Sequence, residues 1–405
     1  MPLPTLDTLD VKNKTVLVRL DLNVPMHAGR VTDATRIRRS IPTLQYLIEQ
    51  HCKVVILSHV GRPKGVDLSL SLAPQVDLLS ELLWDRPVGF APDCLGNTAR
   101  LAVENMQLGD VLLMENLRFH PEEEQGDETF AQKLALLGDV FVNDAFSSCH
   151  RAHASITGIN AHLPSAAGLL MQEEMEALNA VLTAPERPLT AMVGGSKVST
   201  KLELLSNLVE KVDKLLIGGA MAHTFLLAQG HSVGQSLSEP DMTPTAQVIL
   251  EQAKAKGCEL ILPVDAVVAR DFRKQAPCEI VPVDAIPQDA MILDIGPNSV
   301  TRMADAMAAS KTVVWNGPAG AFEVSPFDAS TIMLARQVAA LSRMGTVHSV
   351  AGGGDTVAAL THAGLAGQFS YLSTAGGAFL EWLEGKELPG VAALYASEEK
   401  RTCSA

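Results

Sequence analysis

Thr190–Lys201 reads TAMVGGSKVSTK: an apolar, strand-like run stops at Gly194-Gly195, and the helix-compatible KVSTKLELLSNLVEKV follows at once. Glycines at such a junction let backbone N–H groups approach a ligand closely, and a helix start adds the positive end of its dipole. The reading predicts a phosphate-binding turn. Lys197 and Lys201 stand four residues apart, so a helix beginning here places both ammonium groups on one face of its first turns. Two cations beside a helix N-terminus repel each other and the dipole, an arrangement best tolerated when an anion sits between them. A pair of solvated lysines on an exposed face is the plainer alternative, and the stretch alone does not separate the two.

Outward from that turn, short β-branched runs alternate with amphipathic helical segments, the pattern of parallel sheets covered by helices. TVLVRLDLNV, KVVILSHV, DVLLMENLRF and DVFVNDAF are strand-like in the first half. In the second half LTAMVGG, KLLIGGA, ELILPVDAVVA, MILDIG, KTVVWNG, GTVHSVAGGGD and FSYLSTAGG are strand-like, and most of them end in glycine. The fold class expected is α/β, with ligands bound at the carboxyl ends of the strands. At 405 residues the chain exceeds what one core usually supports, so two domains are expected. The seam falls in Leu163–Glu186, where a helix is bracketed by Pro164 and Pro185.

Composition narrows the partners. A net charge of −14 argues against nucleic acid or an anionic membrane as a bulk partner, and 4% aromatic residues leaves little for base stacking. An acidic chain that binds phosphate must do it with local basic clusters. The six cysteines are scattered without a CxxC pair, so neither a zinc site nor a disulfide frame is indicated. The N-terminus lacks a basic start followed by an apolar core, and no charge-free apolar run reaches spanning length. A cytoplasmic protein is expected.

Basic and polar groups recur where the first half delivers its strand ends. In RLDLNVP, Asp21 and Asn23 alternate with apolar residues and so point to one side of a strand. Arg36 lies near a helix start, Gly61 and Pro63 frame a turn presenting His59 and Arg62, and Arg118 and Arg151 follow two further strands. A single loop arginine is usually a surface charge, and His150 with His153, lacking a glutamate or cysteine partner, reads more simply as structural than as a metal pair. Four recurring arginines favour a small, multiply anionic substrate, because a guanidinium grips carboxylate or phosphate bidentately.

The second half adds WNGPAGAFE, which ends in Glu323, and AGGGDT, where Gly353 and Gly354 precede Asp355 and Thr356. Asp355 beside a glycine-cradled phosphate chain suits Mg²⁺, which binds through few carboxylates plus phosphate oxygens; an Asp355-Thr356 helix N-cap is the plainer alternative, and both roles can hold together. Neither GxxxxGK[ST] nor an opening GxGxxG is present, and protein-kinase signatures are missing.

RLDLNVP, SHVGRP, ENLRFH, DAFSSCHRAH, VGGSKVSTK, WNGPAGAFE, AGGGDT and STAGGAFLEWLEGKELPG, in that order over nearly the whole chain, resemble the motifs of phosphoglycerate kinases, most closely the bacterial ones. The resemblance implies two Rossmann-like lobes joined by a hinge. Residues 1–165 would bind phosphoglycerate, 166–186 would connect, 187–388 would bind Mg-nucleotide, and 389–405 would pack back on the first lobe. It further implies a monomer that transfers the acyl phosphate of 1,3-bisphosphoglycerate to ADP, giving 3-phosphoglycerate and ATP in glycolysis. Asp21, Asn23, Arg36, His59, Arg62, Arg118 and Arg151 would hold the glycerate. Arg36, Lys197 and Lys201 would act on the group in flight, Lys201, Glu323, Gly353, Gly354, Asp355 and Thr356 would hold the nucleotide, and Asp355 the metal. Two positions depart from the pattern: Ala375 stands where glycine usually opens the last loop, and Ser147-Ser148-Cys149 precedes His150-Arg151. A non-catalytic phosphometabolite sensor and a nicotinamide-dependent oxidoreductase are the competing classes; the missing fingerprint disfavours the second.

Overall fold

The structure, a computed structural model, describes residues 3–27 and 29–404. The chain divides into two compact units, with boundaries between Met175 and Glu176 and between Lys386 and Glu387. The first unit is therefore discontinuous and takes both ends of the chain.

Its sheet has six parallel strands in the order Val88–Ala91, Val111–Met114, Lys53–Leu57, Thr15–Arg19, Val140–Asn143, Ser165–Ala167. The inner strands are apolar through their middles because both faces are covered. Val16, Val18, Val54 and Ile56 pack into one core with Ile37, Leu44 and Leu47. Leu17, Val55 and Phe141 point the other way, against Phe130 and Leu134. The strand order reverses between Thr15–Arg19 and Val140–Asn143, and at such a reversal the flanking loops part and leave a crevice. The helix Pro389–Ser404 completes this unit: Gly390 N–H donates to Cys149 O at 2.9 Å, and a Cβ there would lie 2.7 Å from Ile156 Cγ2.

The second unit also has six parallel strands, in the order Glu259–Ile261, Lys214–Ile217, Leu189–Val193, Thr312–Asn316, His348–Gly352, Tyr371–Ser373. Its reversal falls between Leu189–Val193 and Thr312–Asn316. Trp315, fully buried and edge-on to Phe369, anchors this point through Nε1–H to Gly317 O at 2.7 Å. ELILPVDAVVA proves to be two strands of different sheets, because Pro263 interrupts it. Asp265–Ala269 joins Cys278–Pro282 and Met291–Ile295 in a small antiparallel sheet, an addition to the expected all-parallel pattern.

Candidate active site

In the first unit the loops at the reversal are tied into one network. The strand stops at Arg19, so Asp21 and Asn23 lie in the loop beyond it and do not share a strand face as expected. The loop folds on itself instead: Asn23 N–H donates to Asp21 Oδ1 at 3.0 Å. Arg36, in the first turn of Thr35–Glu49, donates to Asp21 Oδ2 at 2.9 Å and to Asn23 O at 3.2 Å. Ser147 Oγ–H also donates to Asp21. Gly61 N–H donates to Asn23 Oδ1 at 3.1 Å, and Gly61 O accepts from Arg118 Nη1 at 2.6 Å. Arg151 Nε–H donates to His150 Nε2 at 3.1 Å. Arg62, next to Gly61, is exposed.

Beneath these groups lies a residue the sequence reading missed. Arg19 is fully buried at the end of the central strand. It donates from Nε to Ser155 Oγ and from Nη2 to His59 Nδ1, both at 2.9 Å. Ser155 in turn donates from N–H (2.9 Å) and Oγ–H (2.5 Å) to the buried carboxylate of Glu123. Burial pushes the Glu123 carboxyl up, and the attraction of Arg19 opposes that. Burial, then the charges of Arg19 and Arg118, hold His59 well below the usual histidine range. Burial, with Arg118 and Arg19, takes His153 down to about 3. Both imidazoles are thus neutral at physiological pH, and the positive charge of the cluster resides on guanidinium groups.

The second unit builds its site from backbone. Gly194 N–H donates to Asn316 O at 2.9 Å, which draws the two loops at the reversal together. A Cβ on Gly194 would lie 1.8 Å from Pro318 O, so the contact requires glycine. The expected helix at Lys197 does not form: the helix is Leu202–Lys211, with Lys201 as its N-cap residue. Residues 196–200 are held instead by Glu239, whose carboxylate accepts from Ser199 N–H at 3.0 Å and Oγ–H at 2.5 Å. Lys197 is exposed, and the two lysines do not form the shared helical face predicted for them. Lys201 turns back to the reversal, where Nζ donates to Gly194 O at 2.5 Å and to Asn316 Oδ1 at 2.7 Å. Burial brings its pKa down to about 8, opposed by Asp355.

Asp355 and Glu323 are exposed and share the rim of a cleft of about 440 Å³. Its walls include Gly195, Gly219, Leu237 and Met291. Gly353, at φ +98°, starts the helix Gly354–His362 and has no side chain to cap it. Asp355 lies in the first turn and is not the cap; Thr356 Oγ1 accepts from Gly317 N–H at 2.7 Å. The Asp355 carboxylate makes no capping hydrogen bond among the described residues. At the last loop, Ala375 sits at negative φ, and Gly376 carries the positive value of 53°. Alanine at 375 is free of backbone strain.

The sequence profile of the phosphoglycerate kinase family matches residues 6–386. The chain belongs to the phosphoglycerate kinase family. It is 56% identical over 397 residues to phosphoglycerate kinase of Granulibacter bethesdensis, covering 98% of this chain and all of that one. To the Xanthobacter autotrophicus enzyme it is 57% identical over 390 residues, covering 96% and 98%. Among solved structures, phosphoglycerate kinase from Coxiella burnetii superimposes with a TM-score of 0.90 at 44% identity, over 98% of this chain and 99% of that one. The Pyrococcus horikoshii enzyme gives 0.83 at 31% identity, over 98% and 100%. As a phosphoglycerate kinase family member the chain is a phosphotransferase, which sets aside the oxidoreductase reading. Asn316 and Gly219 were also missed as candidates, though both stand in strand–glycine junctions, NG and GGA, of the type that singled out Gly194.

Proposed function

We propose that this chain catalyses reversible, Mg²⁺-dependent transfer of the acyl phosphate of 1,3-bisphosphoglycerate to ADP, giving 3-phosphoglycerate and ATP. The observation that carries the reading is Lys201, a part-buried ammonium tied to Gly194 and Asn316 and electrostatically coupled to Asp355 on the rim of a glycine-walled cleft. Phosphoryl transfer asks the protein for in-line positioning and positive charge, with little covalent work. In this reading Asp21, Asn23, Arg36, His59, Arg62, Arg118 and Arg151 hold the glycerate. Lys201 follows the transferring phosphoryl group, with Arg36 and the exposed Lys197 assisting, and Gly353, Gly354, Thr356 and Glu323 hold the nucleotide. Asp355 would hold Mg²⁺, which would supply charge neutralisation of the phosphates; a single carboxylate without a hydrogen-bond partner among the described residues fits an ion that takes its other ligands from phosphate and water. An acyl phosphate is already an activated donor, so the ATP-forming direction needs no catalytic base.

The two sets of residues belong to different units, yet reaction needs atoms roughly 3–3.5 Å apart. We therefore infer closure about a hinge in the connector 166–186, driven by both ligands together. We infer a monomer as part of the same reading. The acidic charge of −14 disfavours nucleic acid, and among the described residues no helix is long and apolar enough to cross a membrane. A cytoplasmic, glycolytic enzyme is the matching setting. The test is a coupled assay for ATP made from ADP and 1,3-bisphosphoglycerate; absence of turnover in the folded protein defeats the reading. Small-angle scattering tests closure separately, through a fall in the radius of gyration when 3-phosphoglycerate and Mg-nucleotide are both present.

A further inference from the structure

On the loop that also carries Arg118, and on its neighbour, the first unit gathers three different metal-ligating side chains at one place. The strands Val88–Ala91 and Val111–Met114 are parallel neighbours, so their C-terminal loops emerge side by side. One loop brings Asp93 and Cys94; the other turns through Leu117–Phe119 and brings His120, the residue before the helix Pro121–Gln125. A carboxylate oxygen, Cys94 Sγ and an imidazole nitrogen lie within 4.8 Å of one another. His120 Nε2 is 2.9 Å from Asp93 Oδ1, and the ring rests against Phe130 with centroids 5.5 Å apart. Cys94 is 1% exposed, whereas the Asp93 and His120 side chains are 45% and 30% exposed. The set has a buried soft ligand and two harder ligands open to solvent.

We propose that Asp93, Cys94 and His120 form a binding site for a thiophilic divalent cation of the Zn²⁺ class. One sulfur, one nitrogen and one oxygen ligand, with a fourth position left to water, match the mixed set that Zn²⁺ accepts. Bond lengths near 2.0–2.3 Å place such ligands about 3.3–3.8 Å apart, so closing on the ion takes about 1 Å of movement, available to the two exposed side chains. A bound dication stabilises the thiolate form of Cys94. Binding releases the thiol proton to solvent, and His120 coordinates through Nε2 while carrying its proton on Nδ1. Mg²⁺, a hard ion that prefers oxygen ligands, does not compete for this set.

The experiment uses the full chain with Cys278 and Cys403 replaced by serine, stripped with a chelator and titrated with Zn²⁺ against a chromophoric competitor. One Zn²⁺ per chain is expected, undisturbed by excess Mg²⁺, with affinity reduced at least about tenfold in Cys94→Ser and in His120→Gln. Co²⁺ in place of Zn²⁺ is expected to give a thiolate-to-metal charge-transfer band that Cys94→Ser abolishes. His120→Gln alters a solvent-accessible side chain, so it reports even where the buried serine disturbs folding. No saturable binding, or Zn²⁺ affinity undiminished in His120→Gln, overturns the proposal.

Discussion

At the strand ends of the first unit stand guanidinium and imidazole side chains packed over a fully buried Arg19, whereas the second unit has a cleft walled by glycines and apolar side chains, with the part-buried Lys201 ammonium bonded to the Gly194 turn. The first arrangement needs a buried acid, Glu123, to hold its charges in place. The second needs loops close enough that a single Cβ at Gly194 would collide with Pro318 O. Side-chain charge selects ligands by the number and position of their anionic groups. Backbone N–H groups and glycine select by shape and tolerate no added atom. The two units also differ in response to pH, since guanidinium groups keep their charge throughout the physiological range while Lys201 titrates near 8.

The largest effect expected on this contrast is structural. Arg19→Met leaves Glu123 buried without its cation and should cost about 3–5 kcal/mol of stability in urea unfolding. Adding Glu123→Gln should recover part of that loss; strict additivity in the double-variant cycle would mean that the two charges are not coupled. Next comes Lys201→Ala, with turnover down roughly 10²–10³-fold, the usual loss for one preorganised charge donor. Near-parental turnover in the folded variant would reduce this lysine to a loop anchor.

Asp355→Ala should raise the Mg²⁺ concentration required for nucleotide binding by about tenfold, and superimposable magnesium titrations would remove the metal role. The pH profile sharpens the comparison further. Lys201 is cationic below its folded pKa of about 8 and neutral above it, so kcat/KM for the nucleotide should fall about fivefold between pH 8 and 9. The Kd for phosphoglycerate without nucleotide should stay flat over the same range, because His59 and His153 are already neutral and the arginines remain charged. Lys201→Arg should abolish the nucleotide fall; its persistence would assign the titration elsewhere. The smallest effect belongs to Ala375→Gly: about 0.4–1 kcal/mol less stable through the freer unfolded chain, with activity within about twofold. A gain in activity would show that the loop needs glycine after all.

Much of this was legible before any coordinates. The alternation of buried strands and amphipathic helices fixed the class, because a strand covered on both faces has to be apolar throughout, as Val16–Val18 and Val54–Leu57 are. Arginines at successive strand ends were legible for the same topological reason. The helix at Lys197 was misplaced because helix propensity in KVSTKLELL runs unbroken across a boundary that Glu239, forty residues away from Ser199, sets by hydrogen bonding. Arg19 was overlooked because its partners Ser155, His59 and Glu123 are remote in sequence, so nothing local distinguishes it from an edge charge. Asp93 and His120 likewise meet only through strand order.

The first unit's use of both chain ends also sets an order of assembly during synthesis. Its sheet is complete once Ala167 has been made, but the helix Pro389–Ser404 that covers Cys149 and Ile156 arrives last. At about 5–20 residues per second, the intervening stretch takes roughly 10–40 s to translate. Throughout that interval the surface around Cys149 and Ile156 stands uncovered on the ribosome, while residues 176–386, contiguous in the chain, can close their own core before the terminal helix emerges. The polypeptide that begins folding first is thus the one that finishes last.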